Sequence, residues 1–202
     1  MKKSFSSIGE SVLCWTDAMP PNSPPHSVVP YAMKAHAIRA ARDTGFDLVL
    51  WADACILPHG PIEPLWDRIE DDGYWISNNG WKNGEWCSDA SLPLIGITRE
   101  EAMAQKHVVA TAFGLNLRSD IGAGIFDEYL RMAQNGAFCG PWKNDVGQAS
   151  SDPRVLGHRH DQTCLSAIAH RFGCVLTDPP AWFSYRGGET AETILVADGN
   201  YA

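Results

Sequence analysis

A chain of 202 residues, 45% of them hydrophobic, is long enough to bury a full core, and one domain is expected. Its net charge of −8 and isoelectric point near 5.3 give no broad basic footprint. That counts against a protein held to nucleic acid mainly by phosphate contacts, while leaving room for a local basic groove.

In chain order, residues 11–17 (SVLCWTD) read as a short strand, and AMPPNSPPHSVVP after it is a loop because its prolines deny helix and ladder alike. Residues 31–45 form a helix: Met33, Ala37 and Ala40/Ala41 share one apolar face, Ile38 widens it, and Gly45 can cap its end. Residues 47–53 (DLVLWAD) are continuously apolar between Asp47 and Asp53 and read as a buried strand, after which ILPHGP turns the chain away. A helix over 61–73 opens on prolines and closes on Gly73. Residues 74–80 read as a strand broken by an Asn-Asn-Gly turn, and 98–107 as a short helix with Thr98 as N-cap and Glu101 completing a capping box. A strand over 108–117, a helix over 122–136, a polar loop over 139–160 and a helix over 161–173 follow, then a last strand and an irregular tail from residue 174. Strands and helices alternate, so the expected fold is an α/β sheet flanked by helices and parallel in its first half.

No window approaches the ~20 apolar residues that span a bilayer, and MKKSFSSIGES lacks the apolar segment of a signal peptide. The six cysteines (Cys14, Cys55, Cys87, Cys139, Cys164, Cys174) are scattered without a C-x-x-C pair, which fits free thiols in a cytoplasmic protein. The chain has no G-x-S-x-G, G-x-G-x-x-G or G-x-x-x-x-G-K-[ST], so nucleophile-elbow hydrolysis, dinucleotide binding and P-loop chemistry are all disfavoured.

Three places carry polar chemistry. Asp53 ends a strand, as Asp17 does, and ligands of open α/β sheets sit beyond the carboxyl ends of strands. Such a carboxylate either holds a divalent cation or caps a turn. Asp161 and Gln162 open a helix whose free N–H groups suit an anionic or polyhydroxyl ligand; the plainer reading makes Asp161 an N-cap and His158 and His160 loop residues. Trp81, Glu85, Trp86 and Asp89 combine flat rings with polar side chains, as an acceptor sugar requires, in a segment that also carries good hairpin-turn signals. His36, His107 and His170 fall in helical or packed contexts and read as structural.

The order YAMK, VLWADA, PIEPLWDRIEDDGY and RHDQTCLS resembles the GT-A-type glycosyltransferases, and among them the small bacterial and viral enzymes of surface polysaccharides. WADA stands where that family carries its D-x-D motif, and HDQTCLS is similar to the DQ-x-x-L-N helix start of glycogenin-like enzymes. The resemblance implies a single-domain GT-A-like (Rossmann-like) fold that moves a sugar from a nucleotide-sugar donor to a glycan or other hydroxylated acceptor. It places Asp161 and Gln162 at the reaction centre and Thr16, Asp17, Tyr31, Lys34, Asp53, Ala54 and Thr111 around the donor. Lys34, and less directly Arg159, would reach the phosphates. Trp81, Glu85, Trp86 and Asp89 would hold the acceptor, and Mn²⁺ or Mg²⁺ would sit on Asp53 with Cys55, His158 and His160 as candidate ligands. The chain departs from the family in carrying one carboxylate where D-x-D has two, and barely one and a half strand–helix units ahead of Asp53. The alternatives are a non-catalytic nucleotide- or carbohydrate-binding module of the same fold, a phage-type enzyme glycosylating DNA bases (which the acidic balance disfavours), and a metal-dependent hydrolase built on His158, His160 and Asp53.

Overall fold

The computed structural model describes residues 11–15 and 18–199. Thr16 and Asp17, expected at the donor, lie outside the described residues, and residues 11–15 carry no strand.

Helix α1 (Ala32–Asp43) begins after Tyr31, whose backbone is left-handed at φ 60°, and Gly45 follows the Thr44 cap at φ 92°. Strand β1 (Leu48–Ala52) turns at Asp53 into a short β2 (Ile56–Pro58). Helix α2 (Glu63–Asp72) has proline in its first turn and closes on Gly73 at φ 85°, both as its sequence dictates. Strands β3 (Tyr74–Trp75) and β4 (Asn78–Lys82), a 3₁₀ turn (Asn83–Trp86) and a one-turn α3 (Leu92–Ile95) follow. In α4 (Arg99–Ala104) the Thr98 hydroxyl accepts from the Glu101 N–H and the Glu101 carboxylate accepts from the Thr98 N–H, so the capping box forms as expected. Strands β5 (Lys106–Val108) and β6 (Ala112–Asn116), helices α5 (Asp120–Gln134) and α6 (His160–Arg171), and strands β7 (Trp182–Tyr185) and β8 (Thr193–Ala197) complete the chain.

The fold is mixed α/β, with three small sheets in place of one. Strand β6 lies between β1 and β3 and runs antiparallel to both, from Leu48↔Asn116 to Ala52↔Ala112 on one side. The expectation of a parallel first half is therefore corrected: continuous apolar composition reports burial on both faces and carries no information about the direction of a partner. A second sheet runs β2-β8-β7, antiparallel then parallel, and β4 pairs with β5. Strand β8 replaces the irregular tail, and all five of its residues are buried.

Two expected strands are also subdivided. The Asn-Asn-Gly signal lies inside β4, where the Asn78 and Asn79 side-chain oxygens accept from the Gly80 and Trp81 N–H groups across a register shift. Residues 108–117 break at 109–111 because the Ala110 and Thr111 carbonyls turn towards α1 and the end of β1.

The main core lies among α1, β1, β6, α5 and α6, with Phe113, Phe126, Tyr129 and Phe138 fully buried; a second cluster joins α2 to the β2-β8-β7 sheet through Ile56, Leu65, Ile69 and Phe183. Among the described residues no helix is long and apolar enough to cross a membrane.

Candidate active site

Asp53 follows the last residue of β1. Its backbone N–H bonds the Thr111 carbonyl at 2.8 Å, and its own carbonyl accepts from Ile56 at 2.9 Å to close the turn into β2. That turn places its carboxylate at the seam between the two larger sheets. Trp51 donates its indole N–H to Asp53 Oδ1 at 2.7 Å. The apolar run ends in a charge here because the charge has partners from other elements.

Asp161 comes to the same place from α6. The helix starts at His160 with Arg159 in the cap position, so Asp161 sits one residue inside the first turn and its side chain points inward. The N-cap reading is thereby excluded. Lys34, from α1, joins the two: its ammonium lies 3.1 Å from Asp53 Oδ1, 3.0 Å from Asp161 Oδ2 and 2.8 Å from the Ala110 carbonyl. Three contacts match the three donors of an ammonium, so Lys34 is committed to the protein and has none left for a phosphate. The Tyr129 hydroxyl donates to Asp161 Oδ2 at 3.2 Å. The Lys34 and Asp161 side chains are only 3% and 4% exposed, whereas Asp53 is 28% exposed and is the carboxylate a ligand meets.

Two anions and one cation leave the group with a net charge of −1. Burial alone would lower the Lys34 pKa, but Asp161 and Asp53 outweigh it and push it up to about 12. Burial raises the Asp161 carboxyl, against the lowering effect of Lys34 and with the Asp53 charge adding to the rise. Tyr129 is pushed well above the usual phenol value by burial and by Asp161, and remains a donor.

The exposed side of Asp53 opens into a cleft of about 820 Å³, lined by residues 11–15 and 18–20, one face of α1, and β1 with its following turn. Trp15, Phe46, Trp51 and Trp66 give it aromatic walls, and Tyr31, Asp53 and Cys55 are among the polar residues that line it. A largely apolar cleft of this size with a few polar groups in its lining is the usual form of a small-molecule site. Tyr31 lies between this cleft and α6. Its ring is 5.6 Å from that of His160, and its hydroxyl pKa is raised by burial and by Asp161. Both Tyr31 and His160 are non-glycine residues in the left-handed region, at φ 60° and φ 50°. Each such placement costs about 1 kcal/mol or more and persists where the surroundings enforce it.

The remaining expected residues fall into two groups. Gln162 spends its amide N–H₂ on the Val108 carbonyl at 2.6 Å, and Thr111 contributes its backbone to Asp53. Trp81 and Trp86 pack together with ring centroids 5.0 Å apart. Glu85, by contrast, accepts from the Lys82 N–H in a capping box, and Asp89 is taken by Arg99 at 2.7 Å and Ser150 at 2.8 Å. These two carboxylates organise loops.

The expected metal ligands do not come together as a donor set. His158 is fully buried: its Nδ1 accepts from the Ser88 N–H at 3.3 Å, and its Nε2 donates to the Ala137 carbonyl at 3.1 Å. His160 Nδ1 bonds the Phe138 carbonyl at 2.8 Å. The Lys34 ammonium occupies the position a cation bridging Asp53 and Asp161 would take. Among the described residues no group of three or more His, Cys, Asp or Glu side chains is arranged to hold a metal ion.

Three participants are not among the expected site residues: Tyr129 lies within a helix, Trp51 within a strand, and Trp142 in a polar loop. Only tertiary packing brings Trp142 to within 5.5 Å of the His160 ring and 4.0 Å of the Arg159 guanidinium.

No protein-family model matches the chain, and no curated protein matches it.

Proposed function

We propose that this protein is a GT-A-type glycosyltransferase that moves a sugar from a nucleotide-sugar donor in the aromatic cleft to a hydroxylated acceptor. The observation that carries this reading is the meeting of Asp53, which lines an 820 Å³ cleft, with the buried Asp161 on one lysine. A group of net charge −1 suits the positive charge that develops on a sugar as its bond to a leaving diphosphate breaks. Asp53, the carboxylate with access to the cleft, faces the anomeric carbon. The C–O bond to the diphosphate breaks, a C–O bond to the acceptor oxygen forms, and the acceptor proton passes to Asp53. Asp161, Tyr129 and Lys34 hold Asp53 in place from behind. Because the candidate ligands do not fit a divalent cation as a set, no step is routed through one.

A second reading, a non-catalytic nucleotide- or carbohydrate-binding module, draws support from the same lysine, whose donors are already satisfied. One experiment separates the two. Nucleoside diphosphates and nucleotide sugars are screened by thermal shift, since a ligand that binds only the native state raises Tm by mass action. Release of free nucleotide is then followed with and without acceptor glycans. Transfer predicts a shift and acceptor-dependent release, with Asp53→Asn keeping the shift and losing the release. A shift without release selects the binding module, and no shift from any nucleotide removes both.

A further inference from the structure

Beside His160, whose ring stacks on that of Trp142 with centroids 5.5 Å apart, Arg159 is framed by three tryptophans. Its guanidinium carbon lies 4.0 Å from the ring centre of Trp142, 4.3 Å from that of Trp86 and 5.6 Å from that of Trp81. None of these four residues lines the 820 Å³ cleft. Trp81 and Trp142 are 44% and 43% exposed, so the frame faces outward. It is also built firmly. The Arg159 N–H bonds the Trp86 carbonyl at 3.1 Å, the His158 N–H bonds the Pro141 carbonyl at 2.9 Å, and a Cβ at Gly157 would collide with the Trp142 carbonyl, so the loop lies directly on the start of α6.

The frame leaves charge and polarity unspent. In a chain of net charge −8, the Arg159 side chain makes no ion pair or hydrogen bond to any described residue. Its Nε is buried without a partner, as are Trp86 Nε1 and His107 Nε2 in the same cluster, where His107 stacks on Trp81 at 5.9 Å. Stacking covers the flat faces of a guanidinium and leaves its N–H edge, the geometry that takes a planar carboxylate through two parallel hydrogen bonds. Indole faces at the same place suit the C–H face of a sugar ring.

We infer that the Trp81–Trp86–Trp142 frame around Arg159 is a saccharide subsite for a sugar bearing a carboxylate, a hexuronate unit of the acceptor. This rests on the transferase reading only for the word acceptor; the binding site stands on its own geometry. Placed next to Tyr31, the subsite would present an acidic glycan to the Asp53 end of the cleft.

The test uses two disaccharides that differ only in the carboxylate, cellobiouronic acid and cellobiose, with binding read by tryptophan fluorescence and calorimetry. Cellobiouronic acid is expected to bind about tenfold or more tightly at low salt, with the preference shrinking as salt is added. Arg159→Gln should bring the two affinities to within about threefold of each other, because the carboxylate's partner is lost for one ligand only. Trp142→Ala, on the exposed rim, should weaken both ligands and serves if Arg159→Gln lowers Tm. Equal affinity for the two sugars, no binding of either, or a preference that survives Arg159→Gln would overturn the inference. So would displacement of cellobiouronic acid by uridine diphosphate, which would make the frame a phosphate site. Carboxylate-selective binding in a protein that binds no nucleotide would retire the transferase reading and keep the subsite. Nucleotide-dependent transfer with no carboxylate preference would do the reverse.

Discussion

Replacing Lys34 by methionine keeps most of the side-chain volume and removes the charge that joins two carboxylates. At 3.0–3.1 Å, and with an effective dielectric of about 20, each ion pair is worth about 5 kcal/mol of attraction. Desolvating the ions costs several kcal/mol each, so the net worth of the group is far smaller than the sum. Removing one partner is different, because the desolvation cost of Asp161 stays while its compensation goes. That change costs about 3–5 kcal/mol for a buried pair, and about 2–4 °C of Tm per kcal/mol in a chain of this size gives a loss of roughly 6–20 °C. The pH dependence has a definite sign. With the Lys34 pKa raised from 10.5 to about 12 in the fold, the parent keeps this stabilisation below pH 10.5 and loses it as pH rises through about 12. In Lys34→Met that alkaline loss disappears. Burial of Asp161 then goes uncompensated, and since a raised carboxyl pKa means the native state holds the proton more tightly, the variant regains stability as pH is lowered. Thermal unfolding across pH, for Lys34→Met, Asp161→Asn and the double variant, measures all of this, and the double variant should be more stable than Lys34→Met alone. A Lys34→Met Tm within about 2 °C of the parent, or strictly additive effects, would refute the account of the triad.

Two further outcomes are expected. Gly157→Ala drives a Cβ into the Trp142 carbonyl, a backbone atom that cannot rotate away, and should cost about 1–3 kcal/mol with a red-shifted tryptophan emission as Trp142 leaves Arg159; an unchanged spectrum and Tm would contradict the close approach. Burial lowers the pKa of both His107 and His158 to about 3, helped by Arg159 in the first case and His160 in the second. Their stabilising contribution is complete above about pH 6.5 and is lost as pH falls from there towards 3, by about 1.4 kcal/mol per pH unit for each. His107→Gln should reduce that slope by the share of one group, and an unaltered slope would show that His107 is not held neutral.

Local rules carried much of this structure. The Thr98–Glu101 capping box, the proline start and Gly73 end of α2, and the helices α1, α5 and α6 all follow from side-chain chemistry that acts over one or two turns, so a single sequence contains them. The charge at the end of β1 was equally legible as an anomaly, whereas Asp53 and Asp161 were joined as candidate partners only through the resemblance to GT-A-type glycosyltransferases, since each alone also reads as a cap. Direction and company were different matters. That β6 runs against β1, that TILVA is a buried strand, and that Lys34 stands between two aspartates depend on residues far apart in the chain meeting. An apolar run looks the same whichever neighbour it will have. Nothing near Trp142 in sequence marks it as the lid on Arg159, and nothing near Glu85 or Asp89 shows that they serve loops. The sequence by itself decided which segments coil, which extend and where charge must be answered; only the tertiary structure decided what answers it, because an ion pair is a property of distance in space and the chain records only distance along itself.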